Sequence, residues 1–83
     1  MSVINYPLVT EKAMNAMDFE DKLHFVVDMD ASKAEIREDV ERRFDVTVTD
    51  VNTMTTMENT KKAIVELQEE GAAEDVAARI GGF

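Results

Sequence analysis

A capped helix lies between two strand patterns, and this order constrains the fold more than any other feature of the chain. Residues 32–35 read Ser-Lys-Ala-Glu, which is a capping box. The apolar positions that follow are spaced four apart and predict a helix with a narrow apolar stripe: Ile36, Val40 and Phe44. Residues 22–27 before this helix and residues 46–54 after it have strand character. The passage predicts a right-handed crossover that joins two parallel strands.

The strand patterns also indicate which side chains face inward. In the first strand we expect Leu23, Phe25 and Val27 on one face, and in residues 61–67 we expect Ala63, Val65 and Leu67 to face inward. The alternation changes phase near Thr49, which predicts a bulge there. Residues 55–60 then form a hairpin loop. On the outer face of the helix, Asp39 is placed to pair with Arg43 one turn later.

The two ends of the chain have helix signals. Thr10 can cap a short first helix that ends near Met17, with Val9 packing on Met14, and residues 18–21 are expected to form an acidic turn. A last helix stops at Gly81 and presents one apolar face: Ala73, Val76, Ala77 and Ile80. The order of elements predicts an α+β fold, a small sandwich with helices packed on a sheet that contains a split βαβ unit.

The length of 83 residues fits one domain over residues 1–83, and its core is small enough that a partner is a reasonable expectation. The sequence contains no cysteine, which excludes disulfides, thiolate metal sites and cysteine nucleophiles. The first residues do not resemble a signal peptide, and no segment is apolar over the length of a membrane span. We therefore expect a soluble intracellular protein.

Acidic residues dominate the composition, with 18 Asp and Glu against 9 Lys and Arg and a formal net charge of −9. Such a balance normally opposes nucleic-acid binding, because phosphate neutralisation by Lys and Arg dominates that affinity. In molar salt the screening length falls to about 3 Å, and a negative surface then repels RNA little. The composition fits such an environment, and it also fits an ordinary acidic domain.

One stretch, residues 51–65, departs from this acidity. It holds Lys61 and Lys62 against a single acid, Glu58, together with many neutral hydrogen-bonding groups. Hydroxyls, amides and ammonium groups are the donors that phosphate and ribose oxygens accept from. The same residues have a structural interpretation, because threonine is a good strand residue and lysines protect a sheet edge from unwanted pairing.

Other candidate sites are weak. His24 is the only histidine and has no nearby nucleophile, so we expect a structural or solvent-facing residue on a strand face with Val26. The acidic groups at residues 18–21 and 28–30 lack the third ligand and the glycine of a cation loop. The sequence therefore predicts no catalytic residue, no metal site and no cofactor, and we expect no enzyme.

Three segments together resemble the ribosomal protein L23 family of the large subunit. They are residues 6–13, residues 44–53 and residues 61–67, and their spacing covers essentially the whole chain. The short hairpin loop is similar to that of archaeal members, and the acidity is similar to that of extreme halophiles. Glu66 departs from the family, which commonly has a basic residue or threonine at that position.

The resemblance implies a four-stranded antiparallel sheet, with an extra strand around residues 5–8. It also implies a structural protein of the cytoplasmic ribosome that binds large-subunit ribosomal RNA near the polypeptide exit tunnel, beside neighbouring large-subunit proteins. The resemblance further implies that this region is part of a docking platform for the signal recognition particle and nascent-chain factors. No membrane or small-molecule substrate is implied. The residues expected to contact RNA, from the resemblance and from their chemistry, are Tyr6, Thr10, Glu11, Lys12, Asn52, Thr53, Thr55, Thr56, Lys61 and Lys62.

A second hypothesis comes from a different class of protein. A small sandwich can dimerise through its sheet and bind a small ligand or another protein, and Met54 and Met57 beside the hairpin loop could line such a pocket.

Overall fold

The computed structural model describes residues 3–8 and 10–80, except for the side chain of Ile80. Within these residues the elements follow in the order β1 (Ile4–Pro7), α1 (Glu11–Glu20), β2 (Lys22–Val27), α2 (Lys33–Phe44), β3 (Val48–Thr55), β4 (Lys61–Leu67) and α3 (Ala72–Ile80). The predictions that Val9 packs on Met14, that Ile80 faces inward and that Gly81 ends the last helix lie outside the described residues.

The described strands form one antiparallel sheet in the order β1-β2-β4-β3. Because β4 runs antiparallel to both of its neighbours, β2 and β3 are parallel to each other with β4 between them. Helix α2 connects β2 to β3, which makes a split βαβ unit. The predicted α+β fold and the predicted parallel direction of the two strands joined by α2 are confirmed, and β1 begins one residue before the predicted residues 5–8. The handedness of the crossover stays a prediction.

One face of the sheet packs against the helices and forms the core. Alternate residues of β2 and β4 on this face are almost fully buried, as predicted: Leu23, Phe25, Val27, Ala63, Val65 and Leu67. From α2, Ile36 and Val40 are fully buried, and the ring of Phe44 stacks on that of Phe25 with centroids 6.2 Å apart. The inward positions of α3 are confirmed for Ala73, Val76 and Ala77.

Helix α1 is longer than the sequence predicts. The prediction that it ends near Met17, with an acidic turn over residues 18–21, is wrong, because the helix continues to Glu20. Asp21 ends it in the left-handed conformation, with φ at 53°, and its backbone N–H donates to the carbonyl of Ala16. Glycine and asparagine usually occupy this position. An aspartate at this position is a weaker signal for the end of a helix, so the sequence alone predicts a turn where the last helical turn lies.

Asp39 of α2 is buried, although the sequence places it on the outer charged face. Its Oδ2 atom accepts hydrogen bonds from the backbone N–H groups of Val3 at 3.0 Å and Ile4 at 3.2 Å. The predicted pair with Arg43 is confirmed at 3.8 Å, and Arg42 approaches the same carboxylate at 3.2 Å. The carboxylate therefore fastens the start of β1 to α2.

The charge on Asp39 is maintained by these contacts. Burial acts to raise the pKa of this carboxyl group, but the N–H donors of Val3 and Ile4 and the charge of Arg43 together hold the pKa below its usual value. Hydrogen bonds to the ionised form outweigh the loss of hydration. Asp39 is therefore a structural anion, and it is not available to repel RNA at the surface.

The hairpin between β3 and β4 is short and well ordered by hydrogen bonds. The backbone N–H of Thr56 donates to the carbonyl of Thr60 at 2.8 Å, and that of Asn59 donates to the carbonyl of Thr56 at 3.0 Å. Asn59 takes a left-handed conformation, with φ at 61°, which asparagine tolerates. The predicted loop is confirmed for residues 56–60 but begins one residue later than predicted, because Thr55 of β3 still pairs with Lys61. The predicted irregularity near Thr49 is confirmed, since the register shifts between Val48 and Asp50.

Candidate nucleic-acid interface

The second face of the sheet points away from the core. Residues that pair across neighbouring strands place their side chains on the same side, so the register assigns three rows to this face. The row beside the hairpin loop contains Tyr6, Val26, Lys62 and Met54. The middle row contains His24, Ile64 and Asn52, and the far row contains Lys22, Glu66 and Asp50. We call these residues the open face.

Charge changes along the open face. In the row beside the hairpin loop, Lys62 is accompanied by the neutral side chains of Tyr6 and Met54, which are both about half exposed. In the far row, the Lys22 ammonium lies 3.7 Å from Glu20 and 3.9 Å from Glu66. An anion is therefore attracted to the hairpin end of the open face, whereas the far end already contains its own counter-charges.

Lys61 and Lys62 lie on opposite faces of the sheet, because successive side chains of a strand alternate. Lys62 belongs to the open face. The Nζ atom of Lys61 donates a hydrogen bond of 2.6 Å to the carbonyl oxygen of Ala31, just before α2. The two lysines that the sequence analysis treats as one pair are thus separated, and only Lys62 lies among the open-face residues.

The other predicted RNA-contact residues near the hairpin also lie on different faces of the sheet. Asn52 is exposed on the open face, where its amide donates to Asp50 at 3.4 Å. Thr53 and Thr55 pair with Ala63 and Lys61, so they lie on the side of the helices. Neither threonine is buried.

Thr56 lies within the loop, and its Oγ1 atom accepts a hydrogen bond of 3.3 Å from the backbone N–H of Thr60. This contact supports the loop and leaves Thr56 half-buried. The hydroxyl is therefore already used within the protein.

The start of α1 lies beside the open face. The hydroxyl oxygen of Thr10 accepts a hydrogen bond from the backbone N–H of Ala13 at 3.1 Å, which confirms it as the helix cap. Glu11 and Lys12 follow in the first turn and are exposed. Between α1 and the sheet lies an open groove of about 700 Å³, which we call the α1 groove. It is lined by Thr10, Glu11, Lys12, Asn15, Ala16, Phe19, Glu20, Lys22, His24 and Ile64.

His24 lies on the floor of the α1 groove and is influenced by charges on both sides of it. Its pKa is lowered from its ordinary value, first by burial and then by the positive charges of Lys12 and Lys62. Lys22 acts in the same direction, and Glu20 opposes it. Lys12 of α1 and Lys62 of β4 are therefore on the same side of the molecule, although 50 positions separate them in the sequence. The lowered pKa favours the neutral imidazole.

Several residues of this surface were not among the sequence-predicted contacts. His24 shares a face with Val26, as predicted, but its position between two lysines depends on the packing of α1. Phe19 is 84% exposed at the rim of the groove. An aromatic residue within an acidic segment was a usable signal. Asn15 and Ile64 gave no sequence signal, because only the tertiary fold brings them together.

The described part of the chain offers neither a metal-binding cluster nor a membrane-spanning helix. Residues 3–8 and 10–80 contain no group of three His, Cys, Asp or Glu side chains arranged to hold a metal ion. Among the described helices, none has both the length and the apolar character needed to cross a membrane.

Comparisons with known proteins identify the family of the chain. The profile of the family described as ribosomal protein L23 matches residues 2–61. The "Large ribosomal subunit protein uL23" of Halobacterium salinarum is 62% identical over 82 residues, which cover 99% of this chain and 98% of that protein. The protein of the same name from Haloarcula marismortui is 57% identical over 98% of this chain and 95% of its own length. The one from Haloquadratum walsbyi is 51% identical over 99% and 98%. The chain therefore belongs to the ribosomal protein L23 family, in its archaeal, halophilic form.

Proposed function

We propose that this chain is a structural constituent of the large subunit of the cytoplasmic ribosome, and that it binds large-subunit ribosomal RNA. Family membership and the names of its relatives support the assignment. One structural observation supports the location of the RNA contact on the chain. Lys12 and Lys62 approach His24 from two different elements, on the sheet face that the core does not use. The RNA-binding surface is the open face together with the start of α1.

The two lysines act on the RNA backbone in this proposal. Lys12 and Lys62 neutralise phosphates, and Asn52 and the exposed start of α1 add hydrogen bonds to phosphate or ribose oxygens. Tyr6 offers an exposed ring on which a base can stack. Such contacts fix the position of the RNA without reading its sequence. The protein holds the folded RNA in place and performs no chemical reaction.

The acidity of the chain is compatible with this role. The relatives come from halophilic archaea, and in molar salt the long-range repulsion between acids and phosphate is screened within about 3 Å. Short-range contacts made by neutral donors depend less on salt than phosphate neutralisation does. A surface that combines two available lysines with amide, hydroxyl and aromatic groups suits these conditions.

The remaining predicted contacts have a smaller part in the proposal. Thr53, Thr55 and Lys61 lie on the helix side of the hairpin, where RNA could reach them only by curving around the edge strand β3. Lys61 would also have to leave the carbonyl of Ala31. The Glu11 carboxylate can accept a hydrogen bond from a ribose hydroxyl, but its negative charge repels phosphate. We therefore expect the effects of these residues to be smaller than those of Lys12 and Lys62.

We further propose that the chain lies near the polypeptide exit tunnel, in contact with neighbouring large-subunit proteins, as part of the platform where targeting factors dock. The family resemblance supports this position. The helix side, where acids and bases are mixed on α2 and two acids lie in the first turn of α3, is the surface left for protein neighbours and solvent when RNA occupies the open face.

Charge reversal at matched positions tests the proposal. Lys12→Glu and Lys62→Glu each change the net charge by two units on the proposed surface. Lys33→Glu makes the same change at an exposed position of α2 on the helix side. Affinity for large-subunit RNA is measured in molar potassium chloride by filter binding. We expect each open-face variant to weaken binding by about tenfold or more, because a phosphate contact is lost and a repulsion is added.

The control fixes the interpretation of this experiment. Lys33→Glu should change the affinity less than twofold, and all three variants should unfold at the same denaturant concentration as the wild type. Equal losses in all three would mean that overall charge, and not the open face, controls binding. A wild-type chain that forms a ligand-responsive dimer and does not bind RNA would instead support the small-ligand hypothesis.

A further inference from the structure

The α1 groove has features that a flat phosphate-binding surface does not need. Its volume of about 700 Å³ is within the range of small-ligand sites, about 300–1,000 Å³. The floor is formed by Ile64 and the half-buried His24, which face each other across β2 and β4. Phe19 stands at the rim with 84% of its surface exposed. A large aromatic side chain this exposed is available for a contact outside the protein.

The charges around the groove indicate what kind of ligand it can receive. Lys12 and Lys62 act on His24 at the groove floor as positive charges, whereas Lys22 is balanced by Glu20 at 3.7 Å and Glu66 at 3.9 Å. Glu11 and Glu20 also line the groove, so its positive part is the side nearest Lys12 and Lys62. An anionic ligand is favoured there. The lining also contains apolar surface from Ala16, Ile64 and the Phe19 ring. A ligand that is both anionic and flat matches both parts of the lining.

Two polar side chains inside the groove are suited to the edge of a base. Asn15 presents an amide with two donors and an acceptor, and a neutral imidazole such as His24 presents one donor and one acceptor. Single-stranded RNA is recognised by this combination: an unstacked base lies against an aromatic ring while amide and imidazole groups bond to its edges.

We propose that the α1 groove receives one unpaired, unstacked nucleotide of the large-subunit RNA, with its base against Phe19 and its phosphate beside Lys12. The inference rests on the proposed function and makes it more specific, because it assigns one nucleotide-binding site within a broader backbone contact. Asn15 and His24 bond to the edge of the base. Ile64 excludes water from beneath it.

The site is tested in large subunits reconstituted with variant chains. Phe19→Ala removes the ring, Phe19→Tyr keeps it, and Met57→Ala is the matched control, since Met57 is a fully exposed apolar residue of the hairpin loop. Reactivity of each RNA base is measured by chemical probing at nucleotide resolution. We expect wild type, Phe19→Tyr and Met57→Ala to protect the same unpaired base, and Phe19→Ala to leave it reactive. The affinity of Phe19→Ala for the RNA should fall about 5- to 100-fold.

A photo-crosslinking residue at position 19 gives an independent readout in the same subunits. A crosslink to a single nucleotide at the protected position supports the proposal, and a crosslink to a neighbouring protein overturns it. Unchanged base reactivities in Phe19→Ala subunits would also overturn it, and so would loss of protection in Phe19→Tyr. In those cases the chain still binds RNA and the proposed function stands. Failure of the wild-type chain to enter the subunit would overturn the proposed function itself.

Discussion

The two faces of the sheet differ in burial: one packs in the core and the other is partly exposed. On the helix side, Phe25 and Val65 are at most 1% exposed, and each contributes apolar surface to a common core. On the open face, His24 and Ile64 occupy the neighbouring positions of the same two strands and are only half-buried. Free energy of folding comes mainly from the first set. The second set is available for binding at little cost to stability.

Lys61 and Lys62 show how sharply the two faces are separated. The two residues are adjacent in the chain, yet one donates to the carbonyl of Ala31 on the helix side and the other lies on the open face. A shift of one position along a strand exchanges a structural contact for a candidate RNA contact. The charge on one face of the sheet is therefore a better guide to a binding surface than the charge of a sequence segment.

The comparison of the faces predicts its largest effect in the core. Phe25→Ala should lower the free energy of unfolding by about 3–5 kcal/mol, because it leaves a cavity beside Phe44. Ile64→Ala, the matched change on the open face, should cost about 1 kcal/mol, since the side chain is half-exposed. Urea unfolding in molar potassium chloride measures both values. Similar losses in the two variants would show that the open face is part of the core.

The next effect concerns the carboxylate that fastens β1 to α2. Asp39→Ala should lower the free energy of unfolding by about 2–3 kcal/mol, because the N–H groups of Val3 and Ile4 lose a charged acceptor. Asp75→Ala is the control, since Asp75 pairs with Arg79 on the surface at 3.1 Å and should contribute less than about 1 kcal/mol. Equal effects in the two variants would contradict the structural role of Asp39.

The stability that Asp39 contributes should depend on pH in the acidic range. The pKa of Asp39 in the folded chain lies below its unfolded value, so the unfolded state binds more protons as the pH falls below that value. Its contribution to stability is present above about pH 4 and is lost as the pH falls through the lower folded pKa. We expect Asp39→Asn to reduce the slope of stability against pH in this acidic range. An unchanged slope would mean that other carboxyl groups dominate the acid response.

The smallest predicted effect is a change in the titration of His24. Burial and the charges of Lys12 and Lys62 lower the pKa of this histidine, so Lys62→Glu should raise it by removing a positive charge and adding a negative one. The shift is measured by NMR of the imidazole protons. Lys33→Glu should leave the titration unchanged. An equal shift in that control would show that the groove lysines do not act locally.

Much of the fold could be predicted because local signals and the overall packing agree. The capping box at Ser32 and Glu35, the alternation in β2 and β4, and the turn residues of the hairpin each specify an element that the structure contains. The same alternation also placed Lys61 on the helix side, since it has the same parity as Ala63 and Val65. That consequence for the binding surface could have been drawn from the sequence.

Other features depend on contacts between distant parts of the chain. Burial of Asp39 requires the start of β1 to approach α2, and nothing within α2 itself indicates it. The α1 groove requires helix α1 to lie beside His24 and Ile64, which come from two different strands. Local patterns specify the periodicity of an element but not the neighbour that it meets. Candidate RNA-contact residues could be chosen by type from the sequence, while their grouping on one face needed the fold.

The most direct test of the central claim is lysine labelling of the chain in free form and in purified large subunits, read by mass spectrometry. If RNA covers the open face, Lys12 and Lys62 should lose most of their reactivity in the subunit, and nuclease digestion of the RNA should restore it. The reactivity of Lys33, which is exposed on the helix side, should not change when the RNA is digested. Contradiction would come from Lys12 and Lys62 reacting as readily in intact subunits as in the free chain.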